Sequence, residues 1–134
     1  MKTVLTVAAS LLAAAACGPG AQFGTVEFGD LTVRGEVDGD YLLRQLEQLD
    51  PPFEACYVQA LRRSRATEGQ MQFAFRGGGG RLVPEVTSDE TDDAELSSCV
   101  TGAIAGLAII EPPDAAPWDF TAGWSVRFAL VRRE

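Results

Sequence analysis

Histidine is absent from the 134 residues, and that gap alone excludes a large part of enzyme chemistry. Without imidazole there is no Ser-His-Asp or Cys-His nucleophile, no His-ligated zinc, and no side chain whose ordinary pKa lies near neutrality. Lysine is nearly absent as well, with Lys2 the single example. The chain carries 11 basic against 19 acidic residues, a formal net charge of −8. That balance disfavours nucleic acid, whose recognition starts from phosphate neutralisation. It equally disfavours direct adhesion to an anionic membrane surface. Three cysteines without histidine do not make a closed zinc site. No metal, cofactor or catalytic residue is therefore expected.

A membrane-spanning run is lacking at the N-terminus. Met1-Lys2-Thr3 gives a short positive start, and Val4 to Ala16 is an uncharged, mostly apolar stretch of thirteen residues. As a helix it spans about 20 Å, short of the roughly 30 Å hydrocarbon core. Residues 1–16 thus read as a secretory signal peptide. Ala14-Ala15-Ala16-Cys17 resembles the bacterial lipoprotein signal, in which the cysteine becomes the acylated N-terminus. The usual leucine three before the cysteine is Ala14 here, with Leu11 and Leu12 just upstream. The alternative is ordinary cleavage near Ala16, leaving Cys17 an unpaired thiol. Acylation closes the count: Cys17 takes the lipid, and Cys56 and Cys99 remain for a disulfide, which an exported chain permits. Gly18 after the cysteine resembles the outer-membrane sorting class, with the domain in the periplasm. The mature chain would hold ten arginines against nineteen carboxylates, a net charge of −9.

Residues 17–29 read as the lipidated cysteine and a flexible tether, with four glycines and a proline in Gly18 to Gly29; its twelve residues reach at most about 40 Å. Residues 30–134 form one small domain, for which a covalent staple is useful. Leu31 to Val37 alternates as a strand, with Leu31, Val33 and Val37 on one face. Asp38-Gly39 turns the chain and Asp40 is the candidate N-cap. Leu42, Leu43, Leu46 and Leu49 repeat at helical spacing. Asp50-Pro51-Pro52 opens a second helical piece, capped by Asp50, with Phe53, Cys56, Tyr57, Ala60 and Leu61 as its apolar stripe. Arg62, Arg63 and Arg65 suit its C-terminal end.

Gln70 to Arg76 alternates, Gly77-Gly78-Gly79-Gly80 turns, and Arg81 to Thr87 returns, which predicts a β-hairpin. Pro84 calls for a bulge or an edge position. Ser88 to Glu95 holds five acidic residues ahead of a helix. They read as capping and dipole-matched charge; the other reading is calcium, though the spacing is not that of an EF-hand loop. Leu96, Cys99, Val100, Ala103, Ile104 and Leu107 form the helix's stripe, and Gly102 and Gly106 suggest close approach of another backbone. Trp118 and Phe120, in a proline-broken loop, are expected to cover a core edge; the alternative is an exposed partner-binding patch. Trp124 to Val131 alternates as the last strand. With Cys56 and Cys99 both on apolar stripes, the disulfide should join two helices over the sheet.

The order is strand, broken helix, hairpin, helix, strand. It gives an α+β fold, two helices packed on one face of a small antiparallel sheet. Residues 31–131 resemble the AgmX/PglI C-terminal domain, a TonB-C-terminal-like family of secreted or envelope proteins. Val33-Arg34-Gly35, Cys56-Tyr57 followed by Ala60-Leu61, Gly69, Gly80, Cys99 and the closing strand carry the likeness. Ile110-Glu111-Pro112-Pro113 and Thr87-Ser88-Asp89 depart from the family pattern, so a partner surface built from those loops is not carried over.

These features imply a non-catalytic cell-envelope lipoprotein, held to the membrane by its N-terminal lipid. Its partner would be an envelope protein or a cell-wall component. One alternative is a carboxylate-dependent hydrolase using a pair such as Glu36 with Glu85. Another is a component of a TonB-like transport or motility complex; against TonB's own energy-transducing role, the chain has neither the transmembrane anchor nor the long linker.

Overall fold

The computed structural model describes residues 23–111 and 118–131. Residues 1–16, read above as a signal peptide, Cys17 and residues 18–22 lie outside the described residues. Four strands make one antiparallel sheet: β1 (Phe23–Gly35), β2 (Gly69–Gly78), β3 (Arg81–Asp89) and β4 (Asp119–Val131). Their spatial order is β1-β4-β2-β3, so the first and last strands of the chain pair, and β1 and β3 form the two edges. Helices α1 (Gly39–Leu46), α2 (Asp50–Arg63) and α3 (Ala94–Gly106) pack on one face. A short 3₁₀ turn, Glu47–Leu49, joins α1 to α2. The α+β class and element order match the sequence reading.

Strand alternation builds the core. Met71, Phe73 and Phe75 of β2 and Phe120, Ala122, Trp124, Val126 and Phe128 of β4 are buried under the helices. Phe53 of α2 is the hub. Its ring lies 5.9 Å from Phe28, 6.0 Å from Trp124, and 6.4 Å from both Phe73 and Phe128. The two central strands thus meet the helix whose aromatic pattern is strongest. The hairpin turns at Gly79 and Gly80, at φ +62° and +77°, as a two-residue turn of left-handed residues requires. Pro84 sits on edge strand β3, where its missing N–H deprives no second neighbour.

Several boundaries differ from the sequence reading. The strand starts at Phe23, so residues 23–29 belong to the sheet and not to the tether. Val26 and Phe28 pack on the core beside Leu31 and Val33, and Gly24 faces the Tyr57 ring, where a Cβ would come within 2.2 Å. The register shifts between Phe28 and Leu31. This bulge lets inward residues three apart share a face. At the other end β1 stops at Gly35, leaving Val37 outside it. Asp38, not Asp40, caps α1 and accepts from the Asp40 and Tyr41 N–H groups. Asp50 is the first residue of α2 and makes no cap hydrogen bond. β4 begins at Asp119, so Phe120 is already a strand residue; Trp118 and Phe120 are both buried. Gly102 and Gly106 are exposed, and no backbone approaches within 4 Å of where their Cβ atoms would be.

The Cys56–Cys99 disulfide is present, with Cα atoms 5.8 Å apart. It joins α2 to α3, the two helices packed on the sheet, but its two cysteines are not equally buried. The buried stripe of α3 is Leu96, Val100 and Ile104, and Cys99 is exposed one position before Val100. Cys56 is 4% exposed. The bridge therefore runs from the core cluster at Cys56 to the exposed side of α3 at Cys99.

Candidate functional site: an open sheet face and a free edge

Residues alternating with the core positions point away from the helices. Among the described residues nothing covers this second face. It presents Thr25, Glu27, Thr32 and Arg34 of β1, then Thr121, Gly123, Ser125 and Arg127 of β4. Gln70, Gln72, Ala74 and Arg76 of β2 and Val83, Glu85 and Thr87 of β3 complete it. Register places Glu27 opposite Arg127, and Arg34, Thr121, Arg76 and Val83 in one row. At its centre Gly123 and Ala74 leave a shallow groove of about 310 Å³, walled by Asp30, Thr32, Gln72, Thr87 and Ser125. Both threonine hydroxyls are engaged with the sheet: Thr32 Oγ1 donates to Gly123 O at 3.3 Å and Thr87 Oγ1 to Gln72 O at 3.2 Å. The groove is open, mixes polar and apolar lining, and holds no paired acid and base.

The two edges differ. β3 contains Pro84, and the β2–β3 register shifts between Gln72 and Phe73; both features blunt pairing with an incoming strand. β1 is thirteen residues long, has no proline, and pairs only through β4 among the described residues. It presents backbone groups along its outer side, interrupted at the Gly29-Asp30 bulge. Sequence alternation found a strand here but could not say that it lies at an edge, because strand order is a property of the whole sheet.

The carboxylate pair raised as an alternative is not brought together. Glu36 follows the end of β1, and Glu85 lies on β3 at the opposite edge. Three inter-strand spacings of about 4.8 Å separate those edges, beyond the roughly 5–9.5 Å that glycoside hydrolysis uses.

The acidic segment before α3 is used internally. Asp89 Oδ1 accepts from the Thr91 N–H and hydroxyl, Glu90 Oε1 from the Gln70 N–H, and Asp93 Oδ1 from the Leu96 N–H at 3.0 Å. Arg63 of α2 bridges Asp93 at 2.9 Å and Glu95 at 3.1 Å. Capping accounts for Asp93 and local hydrogen bonds for Asp89 and Glu90, and among the described residues no group of three or more ligating side chains could hold a metal ion.

Among the described residues two titratable groups are clearly perturbed, one packed in the core and one at a helix cap. Burial, reinforced by Glu68, pushes the Tyr57 hydroxyl up to about 12; it donates to Thr67 O at 2.6 Å. Burial opposes the charge on Asp93, yet the Leu96 N–H and Arg63 outweigh it and hold the carboxyl below its usual range.

Cys17 lies outside the described residues, and no helix among those described is long and apolar enough to cross a membrane. Neither the family models, the curated proteins nor the solved structures include a match to this chain.

Proposed function

We propose that this chain is a non-catalytic cell-envelope lipoprotein, acylated at Cys17, whose periplasmic domain binds another envelope protein by accepting an extended segment on the β1 edge. The observation that carries this is the contrast between the edges: each has one bulge, but β1 is thirteen residues long and proline-free, while β3 is nine residues long and contains Pro84. Main-chain hydrogen bonds along such an edge supply affinity, and alternate side chains supply selectivity. Glu27, Thr32 and Arg34 stand on the open face beside the incoming strand. The likeness to the AgmX/PglI C-terminal domain supports the reading. Its motif glycines Gly35, Gly69 and Gly80 all hold positive φ here, and its two cysteines are bonded.

The test is site-specific photo-crosslinking in the envelope. A crosslinking side chain at Thr32 should capture a discrete envelope protein, and one at Glu85 on β3 should not. Capture from Glu85 with none from Thr32, or from neither, refutes binding at the β1 edge.

A further inference from the structure

The tether is shorter than the sequence suggests, and this constrains how the domain stands. From Cys17 to Phe23 the chain has six peptide steps, which extend at most about 20 Å. Phe23 is the first residue of β1 and pairs with Val131 at the end of β4, so that end of the sheet is the one next to the anchor. Of the five most exposed large apolar side chains among the described residues, Phe23 (57%) and Val131 (44%) are the two that are register partners. They extend a pair of uncharged strand segments, Phe23-Gly24-Thr25-Val26 against Phe128-Ala129-Leu130-Val131; Arg132-Arg133-Glu134 follow Val131 in the sequence, and Glu68 precedes Gly69, the partner of Phe128. The first charged row, Glu27 opposite Arg127, comes four residues in, about 13 Å along the strands. Amphipathic helices at an interface bury their apolar face roughly 5–10 Å into the headgroup boundary, a depth that this strand length covers.

We infer that the Phe23/Val131 corner is a lipid-contacting foot, seated in the headgroup region of the leaflet that holds the Cys17 lipid. This rests on the reading that Cys17 is acylated. The lipid supplies the affinity, and the foot fixes which way the domain faces. Contact is made by a corner and not by the whole end. The opposite edge at that end carries Asp89, Glu90, Asp92 and Asp93 around the start of α3, which anionic headgroups repel. The hairpin tip lies at the far end, since Gly78 pairs with Asp119. Ile110 is there too, because Ile109 N donates to Gly80 O.

The experiment uses the full-length chain processed in its host, its N-terminal mass measured, reconstituted in phosphatidylcholine vesicles with brominated acyl chains. Phe23→Trp places an indole at the foot, and Ile110→Trp, at an exposed site of the far end (68% exposed), serves as reference. The parent protein is subtracted for Trp118 and Trp124. The expected result is a blue shift and loss of most of the added emission for Phe23→Trp, with neither for Ile110→Trp. An acylated, vesicle-bound Phe23→Trp protein that bromine fails to quench overturns the foot and leaves the anchor standing. Access of aqueous acrylamide then tells whether the corner is free or covered by a second copy or another protein. An N-terminal mass without acyl chains overturns foot and anchor together.

Discussion

At Tyr57 a single side chain joins three parts of the molecule. Its ring is buried against Phe128 at 5.2 Å, its edge fills the space that Gly24 leaves, and its hydroxyl donates to Thr67 O. Tyr57→Phe keeps the ring and leaves the Thr67 carbonyl without that donor, which costs about 1 kcal/mol at neutral pH. The pH response is more diagnostic. A native pKa of about 12 stands above the value near 10 of an unfolded tyrosine. The native protein therefore retains a proton that the unfolded chain gives up. The stabilisation is intact below pH 10 and is lost as pH rises toward 12, by roughly 2–3 kcal/mol over two units. Since Lys2 is the only lysine and tyrosines number two, few other groups titrate there. Urea unfolding at pH 8 and pH 11 should show parent stability falling with pH, and Tyr57→Phe falling much less. Parallel slopes for the two proteins would refute the assignment.

Where α2 ends and α3 begins, Asp93 and Arg63 connect two elements that share no sequence. Asp93 caps α3 through the Leu96 N–H, and Arg63 reaches it from the last turn of α2. Asp93→Ala should destabilise by about 1 kcal/mol through the lost cap, with a smaller term from the partly exposed ion pair. Because the native pKa lies below the unfolded value, this stabilisation exists above the unfolded pKa and disappears as pH falls through the native one. Acid titration of stability should thus be shallower in Asp93→Ala, while Asp93→Asn retains part of the cap. At this scale the sequence was largely readable, and the misreadings have physical causes. Phe28 and Leu31 break period two, so alternation starts the strand at Leu31, and only a bulge puts both on the core face. Asp38 and Asp40 are equally good caps by type; the choice depends on where the chain leaves β1 at Gly35, which holds φ +123°. Cys99 fell on a plausible stripe because Leu96, Val100 and Ile104 leave room for it at the stripe's edge. Exposure there depends on how α3 is rotated over β3. The open face could be listed from alternation, but which strand forms its free edge required the order β1-β4-β2-β3.

For the molecule as a whole, the sheet pairs the first strand of the chain with the last, and one covalent bond ties the helix layer together. The Cys56–Cys99 loop spans 43 residues and encloses the end of α2, the entire hairpin and the start of α3. β1 and β4 lie outside it and pair with each other. In the chain-entropy account such a loop contributes about 4 kcal/mol, a large share of the 5–15 kcal/mol typical of a domain. Opening it should lower Tm by roughly 15–25 °C at this size. Cys99 is exposed while Cys56 is buried, so a small thiol can reach the bridge through Cys99 without prior unfolding. Two consequences separate this from a bridge sealed in a core. Reduction should proceed under native conditions, with free thiol appearing while the far-ultraviolet spectrum stays native below the lowered Tm. The Cys56→Ala/Cys99→Ala double variant should melt close to the reduced parent, since the cross-link and not the sulfur packing supplies most of the stability. A melt unaffected by reductant, with both thiols then titratable, would show that the hairpin is held by the sheet alone. Phe53 and the rings around it would then have to carry the stability assigned here to the staple.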